Sequence, residues 1–235
     1  MNKKKVVCIG EALIDRIRSK SNQEFSDFLG GAPANVACAL KKLKIDSVFI
    51  GCLGSDDFGK KFIAQFNELE VNLDFLQLNN NSSTRIVNVN RDQYGDRRFS
   101  GFEADSHSCF ADEALNKKLI ERELPNLEKI FLETKYLVTG TIVLSSPKSA
   151  ETIFFLLKQA NKFEVKIIVD LNWREVFWNH SFFSSETSHK ERVNLIKNFL
   201  NHAHVIKLAK EEATLFFEND NPLLISKQMS KNQML

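Results

Sequence analysis

The segment that most constrains the fold is a pair of glycines followed directly by a helical pattern, Gly30-Gly31-Ala32-Pro33-Ala34-Asn35-Val36-Ala37. Two adjacent glycines let the backbone adopt positive φ angles and approach a ligand closely. Pro33 suits the first turn of a helix, where a missing N–H is not needed. That turn directs unpaired N–H groups, and the Asn35 amide, at whatever lies over the glycines. The segment therefore predicts a site for a polyol or a phosphate, and a tight turn capped by a proline is the alternative.

Two strand patterns flank this segment. Upstream, residues 5–10 read as a buried strand, which is followed by acids at Glu11 and Asp15. Downstream, residues 48–53 read as a second apolar strand, which is followed by Gly54-Ser55-Asp56-Asp57-Phe58-Gly59. The order of strand, glycine turn, helix, strand and Gly-x-Asp-x-Phe-Gly resembles the N-terminal signature of the ribokinase-like (PfkB) carbohydrate kinases. The amino-acid sequence of the glycine segment is most similar to the fructokinase branch. The resemblance to the family signature is specific, because several spaced elements occur in order.

Composition excludes several other classes of protein. The chain carries 32 Lys and Arg against 30 Asp and Glu, and its scattered lysines form no basic stripe for nucleic acid. No apolar run is long enough to cross a bilayer. The four cysteines lie at wide, irregular spacing in apolar stretches, which predicts reduced core thiols rather than a metal site or disulfides. A soluble, cytoplasmic protein that binds neither nucleic acid nor a membrane is predicted.

Strand and helix patterns alternate along the 235 residues, which predicts α/β layering around a largely parallel sheet. Aromatic residues recur at helical spacing from Phe58 to Phe66, so we expect them in the core rather than in a binding site. Residues 136–144 read as a strand, and Ser146 as the N-cap of a helix that begins at Pro147.

The resemblance implies a more specific fold. A ribokinase-like three-layer α/β/α domain would occupy residues 1–235, with a small β lid built from segments near 14–28 and 84–103. The C-terminal part of the family fold is expected to be missing.

The lid is expected to include a two-stranded ribbon. Residues 84–90 and 97–102 flank Gln93-Tyr94-Gly95-Asp96, a pattern typical of a hairpin turn. The resemblance implies that this ribbon covers the sugar, excludes water and forms a homodimer contact, whereas a structural edge hairpin is the alternative. Glu103 occupies the position at which fructokinase-like members often carry a substrate-facing arginine. The resemblance therefore leaves the identity of the sugar open.

A second polar cluster, Asp170-Leu171-Asn172-Trp173-Arg174, follows an apolar strand pattern at residues 165–169. Ligands of open α/β sheets bind at the carboxyl ends of strands, and alternate residues of an extended segment share one side. A carboxylate, an amide and a guanidinium on one side can orient a hydroxyl-rich substrate and hold phosphate oxygens. A strand-end turn with an ordinary surface salt bridge is the alternative.

One further acid lies in a helical pattern near the end of the chain. Residues 205–208 read as a strand and residues 209–217 as a helix that carries Glu212. The resemblance implies that Glu212 organises Mg²⁺ and phosphate through water, which suits a cation that keeps several of its waters. Ala209 replaces the polar residue usual in the family, and a solvated acid near the helix N-terminus is the alternative.

The resemblance assigns different roles to the two groups of polar residues. The sugar hydroxyls would be bound by Asp15, Gly30, Gly31 and Asn35. The transferred phosphate and ATP would lie near Asp170, Asn172, Arg174 and Glu212. ATP and Mg²⁺ are the implied cofactors, and no residue is expected to bind the metal directly.

Phosphoryl transfer also needs a base and an anion hole, which the family draws from a C-terminal Gly-Ala-Gly-Asp motif. That motif does not occur in this sequence, so no catalytic residue is identified. We expect a C-terminally truncated sugar kinase that transfers the ATP γ-phosphate to a sugar such as fructose poorly or not at all. The alternatives are a non-catalytic sugar-binding or regulatory relic and a nucleoside or sugar-acid kinase of the same family. A dinucleotide-binding oxidoreductase is disfavoured, because no Gly-x-Gly-x-x-Gly follows the first strand.

Overall fold

Strands and helices alternate through most of the chain. The computed structural model describes residues 4–18, 24–91, 97–103, 109–179 and 189–229. The strands in these ranges are β1 (Lys5–Ile9), β2 (Leu13–Arg18), β3 (Phe25–Gly30), β4 (Ser47–Gly54), β5 (Leu76–Asn79), β6 (Ile86–Arg91), β7 (Arg97–Phe102), β8 (Thr134–Gly140), β9 (Lys166–Asp170) and β10 (Val205–Lys207).

The α-helices of the same ranges are α1 (Ala32–Lys42), α2 (Asp57–Glu68), α3 (Lys117–Arg122), α4 (Leu124–Glu133), α5 (Pro147–Lys162), α6 (Glu175–Asn179), α7 (His189–Leu200), α8 (Lys210–Phe217) and α9 (Pro222–Gln228). Two short 3₁₀ helices cover Ala111–Ala114 and Ile142–Ser145. Within the described ranges, no helix is both long and apolar enough to span a membrane.

Six strands form a central sheet in the order β10-β9-β8-β1-β4-β5, and every neighbouring pair is parallel. β4 is buried along its whole length, as expected for a strand covered on both faces. Because the strands are parallel, their carboxyl ends meet at one edge of the sheet. The predicted α/β fold with a mainly parallel sheet is confirmed.

Helices cover both faces of the central sheet. Successive residues of β1 point to opposite faces, so Val7 belongs to one apolar core and Cys8 to the other. The second core includes Phe62 and Phe66 of α2, and the Phe66 ring stacks on Phe49 of β4 with centroids 4.9 Å apart. The first core lies beneath α4, α5 and α7. The aromatic pattern of α2 is therefore core, as predicted.

A second, smaller sheet has the order β3-β2-β6-β7. β2 pairs antiparallel with β3 and parallel with β6, and β6 pairs antiparallel with β7. These strands come from the segments near 14–28 and 84–103 in which the lid was predicted. The predicted turn at residues 93–96 lies outside the described residues. Phe25 and Phe28 of β3 are 57% and 53% exposed.

Two local predictions around β8 need correction. The predicted strand over residues 136–144 ends at Gly140, and residues 142–145 form a 3₁₀ helix. The α5 helix begins at Pro147 as predicted, but the Ser146 side chain does not cap it. The Ser146 hydroxyl instead donates a 2.7 Å hydrogen bond to the carbonyl of Glu113. A tertiary partner thus replaces the local cap that the sequence pattern favours.

Candidate active site

The glycine turn lies where β3 of the second sheet leads into α1. Gly31 has a φ of +95°, and a Cβ added there would lie 2.5 Å from the carbonyl oxygen of Glu11. A side chain is excluded at this position by both the backbone conformation and the lack of space. A Cβ added to Gly30 would lie 2.9 Å from Oδ2 of Asp15, so this carboxylate lies directly over the Gly30 backbone. The two sequence-predicted elements, Asp15 and the glycine pair, are therefore adjacent.

Register explains why these residues meet. Leu13 of β2 pairs with Gly30 of β3, and Asp15 pairs with Phe28. This pairing places Asp15, six residues after the end of β1, next to the start of α1. Asp15, which precedes the glycine turn in sequence, is half-buried, and Asn35, which follows the turn, is exposed.

The first turn of α1 differs from the sequence prediction in one respect. The N–H of Ala32, predicted to be open to a ligand, donates a 3.0 Å hydrogen bond to Oε1 of Glu11. The N–H of Asn35 donates to the carbonyl of Gly31 within the helix. Glu11 thus holds the glycine turn in place through a contact between residues 21 apart in sequence, which no local pattern indicates.

Glu11 is buried, with 2% of its surface exposed. Burial raises the pKa of Glu11 to about 7, because the ionised carboxylate loses its hydration. Its hydrogen bonds from backbone N–H groups oppose this shift, as does the positive charge of Arg85, while Asp112 adds to it. Among the described residues, Oε2 of Glu11 has no hydrogen-bond partner.

Arg85 is the centre of a buried charge cluster close to the glycine turn. Its guanidinium is fully buried and pairs through Nε with Asp112 at 3.0 Å and through Nη2 with Glu113 at 2.8 Å. Burial would lower the pKa of Arg85, but the two carboxylates outweigh it and raise this pKa. Three rings surround the guanidinium at 4.1–5.0 Å from their centroids, those of Phe102, Phe110 and Phe177.

A second ion-pair group joins the strands of the small sheet. Arg16 and Asp27 are cross-strand partners in β2 and β3, and two hydrogen bonds of 2.6 and 2.7 Å join them. Arg16 Nη1 also donates to the carboxylate of Glu103. The hydrogen bonds from Arg16 hold the pKa of Asp27 below its usual range. Glu103, noted for its position after the ribbon, therefore pairs with Arg16 across the sheet.

The second predicted cluster follows β9, and its geometry differs from the prediction. Asp170 ends β9, and its carboxylate pairs with Lys207 at 2.8 Å. Asn172 has a φ of +42°, so the backbone leaves the extended conformation on which the predicted alternation depends. Arg174 donates from Nη1 to the carbonyl of Trp173 at 2.9 Å. The prediction that alternate residues share one side of an extended segment is therefore wrong beyond Asp170.

Glu212 joins the loops that follow β9 and β10. Its Oε1 accepts from the N–H of Trp173, and its Oε2 accepts from the N–H of Ala209, both at 2.7 Å. The hydrogen bond from Ala209 follows a local pattern, in which a glutamate three residues after the N-cap accepts from the N-cap N–H. The first bond joins residues 39 apart in sequence, which local patterns do not indicate.

The two predicted groups lie at the same edge of the molecule. β8 separates β1 from β9 in the central sheet, so the carboxyl ends of β1 and β9 are two strand spacings, roughly 10 Å, apart. The buried hydroxyl of Thr141, which follows β8 between them, donates to the carbonyl of Leu171. Ligands of open α/β sheets bind at this edge. In the part of the chain that the structure describes, no group of three or more His, Cys, Asp or Glu side chains is arranged to hold a metal ion.

Comparison with known proteins identifies the family. The profile of the pfkB family carbohydrate kinases matches residues 3–233. The chain therefore belongs to the pfkB family of carbohydrate kinases, which confirms the resemblance found in the sequence.

The relatives include fructokinases. The chain is 32% identical over 222 residues to the probable fructokinase-5 of Arabidopsis thaliana, covering 92% of this chain and 63% of that protein. It is 27% identical over 219 residues to the fructokinase of Salmonella typhimurium, covering 93% and 64%. The structure of the Xylella fastidiosa fructokinase with bound ATP matches with a TM-score of 0.78 and 26% identity, over 95% of this chain and 64% of that one. The three-layer ribokinase-like fold is thus confirmed, and the chain spans less than two thirds of the length of these relatives.

Proposed function

We propose that this chain carries the sugar-binding part of a fructokinase-like kinase, which transfers the γ-phosphate of ATP to a hydroxyl group of a sugar such as fructose. The observation that carries the proposal is the Asp15 carboxylate lying over the Gly30 backbone at the entrance of α1. A carboxylate accepts hydrogen bonds from neighbouring hydroxyls. The absence of side chains at Gly30 and Gly31 lets the Asp15 carboxylate and the Glu11 carbonyl approach the turn closely. The exposed Asn35 amide adds a donor and an acceptor beside them.

The phosphate-proximal part of the site is proposed to follow β9 and β10. Arg174 offers a planar guanidinium that suits phosphate oxygens, with Asp170 and Asn172 beside it in sequence. Glu212 would act by holding this segment, because its two oxygens accept N–H groups from both loops. Mg²⁺ would be held by the phosphate oxygens of ATP and would contact these residues through the waters that it keeps.

No catalytic base is assigned among these residues. A sugar hydroxyl needs a base to accept its proton during phosphoryl transfer, and the four phosphate-proximal side chains are proposed for binding only. We therefore propose that residues 1–235 bind sugar but turn over ATP slowly when they are tested alone.

The exposed edge strand of the small sheet supports a further proposal, that the chain forms a homodimer through its lid. β3 is an edge strand of that sheet, and it exposes the rings of Phe25 and Phe28 to solvent. Exposed aromatic side chains on an edge strand favour association with a partner.

Isothermal titration of the purified chain with fructose tests the proposed function. We expect saturable binding that falls by about tenfold or more in Asp15→Asn, since one strong hydrogen bond is worth that factor. Asp74→Asn is the matched control, because Asp74 is exposed and follows α2 in sequence. This variant should bind fructose with wild-type affinity.

Two outcomes would contradict the proposal: no saturable binding of any hexose or pentose by the folded chain, or unchanged affinity in Asp15→Asn. The same titration with Mg-ATP present, followed by an assay for ADP, separates a kinase from a non-catalytic sugar-binding protein. Fructose-dependent ADP release supports the first, and affinity that is indifferent to Mg-ATP supports the second.

A further inference from the structure

Two buried polar atoms near the glycine turn have no hydrogen-bond partner among the described residues: Oε2 of Glu11 and Nη1 of Arg85. The two side chains are 2% and 0% exposed. One atom is an acceptor and the other a donor. Their charges act on each other, since Arg85 lowers the pKa of Glu11.

Topology brings these two side chains to the same end of the small sheet. Glu11 shortly precedes β2 and Arg85 immediately precedes β6, and the two strands are parallel neighbours. The N–H of Ile14 donates a 2.8 Å hydrogen bond to the carbonyl of Arg85, which fixes the pairing at this end. Both residues therefore lie where the small sheet meets the glycine turn.

The remaining atoms of both side chains are already bound. Oε1 of Glu11 accepts from the N–H of Ala32, while Nε and Nη2 of Arg85 pair with Asp112 and Glu113. Leaving a charged donor and a carboxylate oxygen buried without partners is strongly unfavourable. A third group that satisfies both atoms would remove this penalty.

The chemistry of that group follows from the charges around it. Carboxylates at Glu11, Asp112 and Glu113 repel an anion, and the guanidinium of Arg85 repels a cation. A neutral hydroxyl meets both needs, because it donates to a carboxylate oxygen and accepts from a guanidinium N–H.

We infer that Glu11 and Arg85 form a buried receptor for one hydroxyl group beneath the glycine turn, in which Glu11 is a positioning residue. Through Oε1 and the Ala32 N–H, Glu11 fixes the turn. Through Oε2, it shares the hydroxyl with Arg85. The hydroxyl belongs either to an internal water or to the sugar, and its consequence for sugar affinity rests on the proposed function.

A high-resolution crystal structure of the sugar-free chain tests the receptor itself. We expect one ordered oxygen within hydrogen-bond distance of both Oε2 of Glu11 and Nη1 of Arg85. A direct contact between the two side chains, or no oxygen between them, would overturn the inference. In crystals grown with fructose, a sugar oxygen at this point identifies the ligand as the source, and an unchanged water identifies a structural water.

Fructose titration of Glu11→Met and Glu11→Gln tests the positioning role. Methionine removes both hydrogen bonds and should weaken fructose binding by about tenfold or more. Glutamine keeps an acceptor for the Ala32 N–H but places an NH₂ group at the position of Oε2, so the loss of fructose affinity should be smaller than in Glu11→Met. The buried substitution Ile153→Val in α5 controls for loss of stability, because it lies in the core and outside the site.

Fructose affinity in folded Glu11→Met equal to that of Ile153→Val would show a purely structural role and overturn the inference. If Glu11→Met does not fold, Arg85→Lys replaces it, because lysine keeps a cation for Asp112 and Glu113 but removes Nη1. The same loss of affinity is then expected. A wild type that binds no sugar would refute the proposed function alone, because the crystallographic oxygen still tests the receptor.

Discussion

The substitution Glu11→Gln should change how stability depends on pH. Folding raises the pKa of Glu11 from 4.5 to about 7 because the carboxylate is buried. The folded state therefore binds the proton more tightly than the unfolded state does, so the unfolding free energy of the wild type falls as pH rises through this window. A rise of this size is worth about 3 kcal/mol in total, of which about 2–3 kcal/mol falls between about pH 5 and pH 8. Glutamine does not titrate, so the variant lacks this loss.

Urea unfolding followed by tryptophan fluorescence measures the effect. The two tryptophans report on folding because their rings pack 5.2 Å apart, and Trp178 is buried. The stability of Glu11→Gln relative to the wild type should rise with pH by the stated amount. Glu68→Gln, at an exposed position of α2, is the control and should parallel the wild type. A difference between Glu11→Gln and the wild type that stays constant from about pH 5 to pH 8 would refute this reasoning.

Three further substitutions test the site and its supports. Gly31→Ala places a Cβ 2.5 Å from the Glu11 carbonyl oxygen at a φ of +95°, so it should lower the unfolding free energy by about 2 kcal/mol or more and weaken fructose binding in calorimetry. Asp27→Asn removes the charged pair with Arg16 and should destabilise by about 1 kcal/mol at neutral pH. Because the folded pKa of Asp27 is lowered, that difference should disappear in acid, as pH falls through this pKa. Glu212→Gln leaves one backbone N–H unpaired and should cost about 1 kcal/mol in urea unfolding.

Each of these three has an outcome that would count against it. A Gly31→Ala variant with wild-type stability would mean that the turn can relax away from Glu11. A destabilisation by Asp27→Asn that persists unchanged in acid would show that its charge is not the cause. Glu211→Gln, at the exposed neighbour of Glu212, should be neutral. An equal effect from both glutamate variants would contradict the role of Glu212 in joining the two loops.

Local sequence patterns were sufficient for most of the framework. The apolar runs of β1 and β4, the proline at the start of α1 and the aromatic spacing of α2 each determine an element through short-range chemistry. Their order also restricts the topology, because strands joined by helices form parallel sheets. The proximity of Asp15 to the glycine pair came from the family resemblance, since the residues themselves do not indicate how β2 returns to β3.

Features that depend on long-range packing were not predictable from the sequence. Arg85 lies in a strand pattern with one polar face, and its burial depends on Asp112 and Glu113, 27 and 28 residues away. The left-handed backbone at Asn172 and the bond from Trp173 to Glu212 likewise arise where two loops meet. Such contacts carry no local periodicity, so only the folded chain reveals them.

The most direct test of the proposed sugar site is a crystal structure of the chain with fructose. The proposal predicts one sugar whose hydroxyl oxygens lie within hydrogen-bond distance of the Asp15 carboxylate, with its ring over Gly30 and Gly31. Fructose bound elsewhere, or an empty site under conditions that saturate the chain in calorimetry, would contradict it.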